Sequence, residues 1–269
     1  MKAFALALAK EAGNYLLRNF RKNSRLEQKR TLAKEMHLIY DQKSDRIISA
    51  KIKAKYPSHN ILSEESGLTN RSSKYTWIID PLDGTSNFAN GNPFFAVSIA
   101  LMEAQEVILG VVYAPFLKEL YVAEKNKGAY IYEKNGKKNK KKTRKLQVSK
   151  MNNLADSYII SCGGGEKTNE KVAALYCHFY NRVKEMRKLG SAALESAYIA
   201  AGRAEAYIVA TIQPWDVAAG ALLIKEAGGK VTDFKGCPWN YKTADLVFSN
   251  GIIHEQVLKE IKKNKILIY

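Results

Sequence analysis

The chain has 269 residues, 46% of them hydrophobic and 26% charged, and a formal net charge of +17. That balance suits a globular protein with one large core or two lobes sharing one, and it excludes a mostly disordered, collagen-like or disulfide-stapled chain. Cys162, Cys177 and Cys237 form no Cys-x-x-Cys pair, which argues for reduced thiols and against structural zinc, and no apolar run approaches the ~20 residues that cross a bilayer.

Phe4, Leu8, Tyr15, Leu16 and Phe20 recur at helical spacing, so residues 2–20 read as an amphipathic helix. The apolar run at its start is interrupted by Lys10 and Glu11, which argues against a targeting segment. A second helix is expected over about 41–56, before Pro57. Ile61–Ser63 reads as a short strand leading to Glu64-Glu65. Trp77-Ile78-Ile79 reads as a buried strand ending at Asp80-Pro81, where proline forces a turn. Phe94 to Leu101, Val107 to Tyr113 and Glu119 to Ala123 read as an antiparallel meander.

Beyond residue 145 the pattern changes. A strand at 157–161, helices at 169–185 and 191–201, a strand at 206–209 and a helix at 217–227 closed by Gly228-Gly229 alternate as in α/β architecture. The reading is one domain over 1–269 made of two lobes, 1–145 and 146–269.

The charge is localised. Residues 133–145 hold eight Lys or Arg against one Glu, and residues 21–30 hold five against one. A basic run attracts anionic surfaces. The 133–145 run has no aromatic on which a base could stack, so a solvated hairpin loop is the simpler reading and a nucleic-acid contact the alternative.

Asp80-Pro81-Leu82-Asp83-Gly84-Thr85-Ser86-Asn87-Phe88 carries the chemistry. Two carboxylates at a strand tip repel unless a cation neutralises them, and an all-oxygen set suits magnesium. The turn leaves the Leu82 carbonyl available to ligate. Gly84 lets backbone approach a ligand, and a helix opening at Thr85 offers N–H groups to a phosphate. Glu64-Glu65 and Asp216, the latter before the helix at 217–227, supply further carboxylates.

Together with Ser63-Glu64-Glu65-Ser66, Trp215-Asp216-Val217-Ala218-Ala219-Gly220 and Glu226-Ala227-Gly228-Gly229, that segment resembles the three signatures of the inositol monophosphatase family. Gly190-Ser191-Ala192-Ala193-Leu194 and Ala200-Ala201-Gly202-Arg203 resemble its bacterial extragenic-suppressor branch. The resemblance implies a layered αβαβα sandwich, with an antiparallel sheet in the N-terminal lobe and a second, mixed sheet in the C-terminal lobe. It also implies a magnesium-dependent phosphoric monoester hydrolase with two or three ions per site. By position, Glu64, Asp80, the Leu82 carbonyl, Asp83 and Asp216 would hold the metals. Asp41, Glu64 and Thr85 would orient and activate water, and the Gly84 and Thr85 amides would hold phosphate. Leu82, Asp83 and Asp216 would border the substrate with Glu64, and Arg187, Gly190, Ser191 and Ala192 would line its far side. Inositol monophosphate as substrate, lithium inhibition, a cytoplasmic homodimer and, in this branch, a transcription-machinery role are further implications.

Two positions depart from the family pattern. Val209 stands where many members carry a glutamate that contacts substrate hydroxyls, and His37-Leu38 stand where Val-Thr often precedes the upstream aspartate. Another sugar or nucleotide phosphate is therefore the alternative substrate. An aspartyl-phosphate mechanism wants Asp-x-Asp, whereas Asp80 and Asp83 are separated by two residues. His37, His59, His178 and His254 lie outside every motif and read as structural.

Overall fold

Ala5, Leu8, Ala12 and Leu16 repeat every three or four residues, and helix α1 (Lys2–Asn19) buries all four. Helix α2 (Arg30–Lys55) lays Ile48 and Ile52 against the same layer. It starts well before the expected residue 41, because no glycine or proline interrupts residues 30–55. The computed structural model describes residues 1–21, 30–135, 140–163 and 169–264, without the side chains of 30–38, 134–135, 140–141, 163 and 169. Most of the basic run at 21–30 and the middle of the 133–145 run lie outside the described residues.

The first sheet comprises β1 (Asn60–Ser63), β2 (Gly67–Thr69), β3 (Tyr75–Asp83), β4 (Ala96–Glu103), β5 (Glu106–Ala114), β6 (Glu119–Glu124), β7 (Ala129–Asn135) and β8 (Lys140–Lys145). Its order is β2-β1-β3-β4-β5-β6-β7-β8. Every neighbouring pair is antiparallel except β1 and β3, which run parallel. Side chains alternate faces along a strand. Trp77 and Ile79 enter the core shared with α1 and α2, while Ile78 enters the core on the other side. Burial on both faces explains why the central strands read as unbroken apolar runs.

The second sheet has the order β10-β9-β11-β13-β12, built from β9 (Tyr158–Gly163), β10 (Glu185–Arg187), β11 (Ala206–Ala210), β12 (Lys230–Asp233) and β13 (Leu246–Ser249). The pairs β10/β9 and β9/β11 are parallel, and the other two antiparallel. Helix α4 (Asn169–Tyr180) ends five residues before the expected stop, and the remainder forms a turn and the edge strand β10.

Helices α5 (Ala192–Ala200) and α6 (Pro214–Glu226) lie between the sheets, their Ala193, Leu194, Ala197, Val217 and Ala218 sharing one core with Ile78, Val112, Tyr207 and Phe248. The far face of the second sheet is covered by α4 and α7 (His254–Lys262), through Leu175, Phe179, Val257 and Ile261. The layers therefore run helix, sheet, helix, sheet, helix, and both sheets are mixed.

Small residues let the central helices sit close. A Cβ on Gly220 would lie 2.3 Å from the Ser196 Cβ, across the α5–α6 contact. Gly220→Ala should therefore destabilise the protein by about 1–3 kcal/mol through overpacking, against the ~1 kcal/mol gain alanine brings to an open helix position. Adding Ser196→Gly should recover part of the loss. Urea unfolding midpoints of the single and double variants test this.

Candidate metal centre

Parallel pairing sets Ser63 beside Ile79. One residue further along each strand stand Glu64 and Asp80, and the Glu64 N–H donates to the Ile79 carbonyl at 3.2 Å. Both side chains therefore emerge at the same sheet end. Asp80 pairs with Ser98 and Asp83 with Ala96, three steps on β3 against two on β4. Residues three apart in a regular strand face opposite ways. This bulge returns Asp83 to the face Asp80 occupies, because their partners on β4 are two apart. Pro81 sits inside the bulge, where its missing N–H costs no ladder bond. The strand thus continues to Asp83 instead of turning at the proline.

Asp216 comes from the middle layer. It lies inside the first turn of α6, which begins at Pro214, two residues before the aspartate. The Gln213 N–H donates to its Oδ2 at 3.0 Å, closing a reciprocal cap. Glu64, Asp80 and Asp216 each offer a carboxylate oxygen, all within 4.8 Å of one another. No other such trio of His, Cys, Asp or Glu occurs among the described residues.

The electrostatics are one-sided. Asp80 is 1% exposed. Burial, then the charges of Glu64, Asp83, Asp216 and Asp41, holds its carboxyl well above the ordinary range. Glu64 is exposed overall, yet lost hydration and Glu65 still raise it, against a hydrogen bond with Asp80. Asp216 is pushed up to about 7, chiefly by burial, with the Gln213 amide and Asp80 opposing and Glu64 adding to the rise.

Asp83 is held differently. Its Oδ1 accepts from the Ala192 N–H at 3.0 Å, and its Oδ2 accepts from the Ala193 N–H at 2.9 Å and from the Ser191 hydroxyl. It thus ties the first sheet to the start of α5. A carboxylate has about four acceptor positions, so this leaves one on Oδ1. The Leu82 carbonyl, expected to be free, accepts the Thr85 hydroxyl at 3.0 Å and keeps its second lone pair.

Asp41, on α2, is 3% exposed, and its Oδ2 lies 3.5 Å from the same Thr85 hydroxyl. Its Oδ1 is buried without a hydrogen-bond partner. Burial, then Glu65, Glu64 and Asp45, pushes its carboxyl up to about 9. Gly84 adopts φ +88° at the start of α3 (Thr85–Ala89). A Cβ there would lie 2.9 Å from the Phe94 carbonyl oxygen and 3.2 Å from that of Gly190, so glycine suits both the torsion and the notch.

Gly190, Ser191 and Ala192 are brought to Asp83 and α3. Arg187 is exposed, and its guanidinium bonds to Glu185 and to the Met186 carbonyl, along its own strand. Val209 is fully buried in the middle core. The histidines stay outside: His254 bonds to Ser249 and Thr232, His178 to Glu260 and His59 to Trp77, while the His37 side chain lies outside the described residues.

Sequence reading did not single out Asp45 or Glu195. Asp45 accepts from Ser63 at 2.5 Å and Ser49 at 3.2 Å. Its place one helical turn after Asp41 was the available signal. Glu195 is fully buried, and its Oε1 accepts the Leu189 and Gly190 amides, each at 2.9 Å. A glutamate among small apolar residues gives no such signal. The donors converging here are all oxygen, which fits a hard divalent cation such as magnesium and not zinc. The orphaned Asp41 oxygen adds an acceptor beside them.

A model of the inositol monophosphatase family matches residues 1–265. The chain is 36% identical over 266 residues to a fructose-1,6-bisphosphatase/inositol-1-monophosphatase of Thermotoga maritima, covering 97% of this chain and 95% of that one. It is 34% identical over 267 residues to the Nus factor SuhB of Escherichia coli, covering 97% and 96%. The solved extragenic suppressor protein suhB of Bartonella henselae superposes with a TM-score of 0.82 at 31% identity, covering 97% of each chain.

The raised carboxyls set a pH dependence. An ordinary aspartate ionises near 3.8, whereas Asp216 waits until about 7 and Asp41 until about 9. Between those limits the folded, ion-free protein holds protons that the unfolded chain has lost, so its stability falls as pH rises. Chelator-treated protein should melt at progressively lower temperature from about pH 5 to about pH 9. Asp41→Asn should flatten the upper part of that slope. Calorimetric scans across the range decide it.

Proposed function

The chain belongs to the inositol monophosphatase family, and on that premise we propose that it hydrolyses a small phosphomonoester with magnesium, by direct attack of water. What supports this most is the convergence of Glu64, Asp80 and Asp216, carboxylates from three distant segments, in surroundings that add only negative charge to Asp80. Such a group needs a divalent cation to stay ionised. Glu64, Asp80, Asp216, the Leu82 carbonyl and the open position on Asp83 would hold two or three ions. Magnesium bound there supplies charge that neutralises the phosphate, acidifies water and returns the carboxyls to their ionised form.

The chain's own groups supply the rest. The N–H groups of Gly84 and Thr85, at the open end of α3, donate to the phosphate oxygens. Asp41, Glu64 and Thr85 would together orient and activate the attacking water, a carboxylate accepting its proton. The water oxygen bonds to phosphorus as the bond to the substrate's alcohol oxygen breaks, and that oxygen takes up a proton from a water molecule to leave as the alcohol. No protein nucleophile takes part. Residues 1–145 and 146–269 act as the two lobes of one catalytic domain, with Gly190, Ser191, Ala192 and Arg187 on the substrate side.

Inositol monophosphate is the substrate this reading favours, with a lithium-sensitive, cytoplasmic homodimer as its setting. Among the described residues no helix is long and apolar enough to cross a membrane. The Thermotoga relative's name couples a sugar bisphosphate with inositol monophosphate. Val209 places no carboxylate toward substrate hydroxyls, which favours breadth over strict inositol selectivity. Asp80→Asn and Asp216→Asn should each lower kcat on the order of 10²–10³-fold, the size expected on removing one preorganised charge. Steady-state hydrolysis of inositol, sugar and nucleotide monophosphates, with magnesium and with chelator, checks this. Full activity in chelator or in both variants would exclude the mechanism.

A second reading adds a nucleic-acid or transcription-machinery contact through residues 133–145. It is favoured by the eight basic residues there and by the Nus factor name of the Escherichia coli relative. Neutralising Lys142, Arg144 and Lys145 together should weaken RNA binding and reduce the slope of log affinity against log salt by as much as ~2 to 3. Fluorescence anisotropy across a salt series measures it, and an unchanged slope rejects the contact.

A further inference from the structure

We infer that Asn87 is a positioning residue that fixes the width of the phosphate-facing notch at Gly84. The inference rests on the phosphatase reading above and names a residue with no role in it. Asn87 lies on α3, three residues after Gly84. Its Nδ2 donates to the Phe94 carbonyl at 2.8 Å, the Leu189 carbonyl at 2.8 Å and the Gly190 carbonyl at 3.1 Å. Two hydrogens thus serve three acceptors. Its Oδ1 accepts the Asn92 side-chain amide at 2.8 Å. Three carbonyls can only accept, so the orientation of the Asn87 amide is settled by its partners.

Two of those carbonyls, on Phe94 and Gly190, are the atoms that a Cβ on Gly84 would meet. They border the notch from two separate segments, one before β4 and one in the turn before α5. Asn87 holds both from a single nitrogen. The same turn is fixed from its other side, where Glu195 accepts the Leu189 and Gly190 amides and Asp83 caps the first turn of α5. Without Asn87, the three carbonyls lose the shared donor that holds them together. The notch that presents the Gly84 and Thr85 amides then loses its fixed width, and phosphate affinity should fall before metal affinity does.

The charge of the partners makes the test specific. Asn87→Asp keeps the side chain's shape but sets a carboxylate against three carbonyl oxygens. Asn87→Ala only removes the donor. A donor role ranks Asp below Ala, whereas a space-filling role ranks Asp above Ala. Asn92→Ala, which spares all three donated bonds, should give an intermediate effect.

The experiment measures kcat and KM for a phosphomonoester, inhibition by inorganic phosphate and Mn2+ affinity by electron paramagnetic resonance, on wild type and these three variants. The expected result is a KM and a phosphate inhibition constant raised about tenfold or more in Asn87→Ala and further in Asn87→Asp. Mn2+ affinity should stay close to that of wild type, because the Asn87 amide donates to the Phe94, Leu189 and Gly190 carbonyls and to none of the candidate metal ligands. Wild-type KM in Asn87→Ala, or Asn87→Asp outperforming it, overturns the inference. If Asn87→Ala fails to fold, Asn92→Ala carries the test, and a wild-type KM and phosphate inhibition constant in that variant overturn the inference. If wild type hydrolyses nothing, the phosphatase reading fails, and the shift of melting temperature by inorganic phosphate with Mn2+ still ranks the variants.

Discussion

Carboxylates repel one another, and a fold that buries several together must be compensated from elsewhere. Here Glu64, Asp80 and Asp216 bring oxygens within 4.8 Å, with Asp83 and Asp41 acting on Asp80 as further negative neighbours. In the ion-free protein the compensation is protonation, seen in the raised carboxyls of Asp80, Asp216 and Asp41. In the working enzyme the proposed compensation is a divalent cation. The two states differ by protons exchanged for metal charge, so pH, ion binding and stability are linked at one place.

The scaffold's task is to hold that repulsion in a fixed arrangement. The parallel pairing of β1 and β3 delivers Glu64 beside Asp80. The bulge at Pro81 turns Asp83 to the same face. The central helices then close the site from the other lobe: α6 carries Asp216 in its capped first turn, and α5 presents its first amides to Asp83. Asp83 is thereby both a candidate ligand and a tie between the first sheet and the middle layer. Ionised, it also suits the positive end of α5. Gly220 lets α5 and α6 approach closely, and Gly110 on β5 lets α6 lie close against the first sheet.

Much of this was legible in the chain. Strands buried on both faces announced themselves as continuous apolar runs, and the acids stood out because two carboxylates at a strand tip repel unless a cation neutralises them, with Glu64 and Asp216 joined to them by the resemblance to the family's signatures. Other features were hidden for physical reasons. The bulge at Pro81 is a property of pairing with β4, and proline alone reads as a turn. The early start of α2 follows from the absence of glycine or proline in residues 30–55, whereas the expected start rested on the apolar positions from Ile47 onward. Glu195 and Asn87 act on backbone groups more than a hundred residues away or in neighbouring turns, and backbone donors and acceptors leave no mark in a sequence.

The sequence by itself determined which chemistry is available: hard oxygen donors, a glycine able to take φ above zero, and the apolar periodicities that build two sheets and their covering helices. Those depend on residue identity and local spacing alone. Tertiary structure decided which oxygens meet, which remain open and which are already engaged. Asp83 committed to α5, the Leu82 carbonyl sharing its lone pairs with Thr85, and Arg187 lying along its own strand are outcomes of strand register and helix packing. Register and packing depend on contacts between distant segments, and no single segment encodes them.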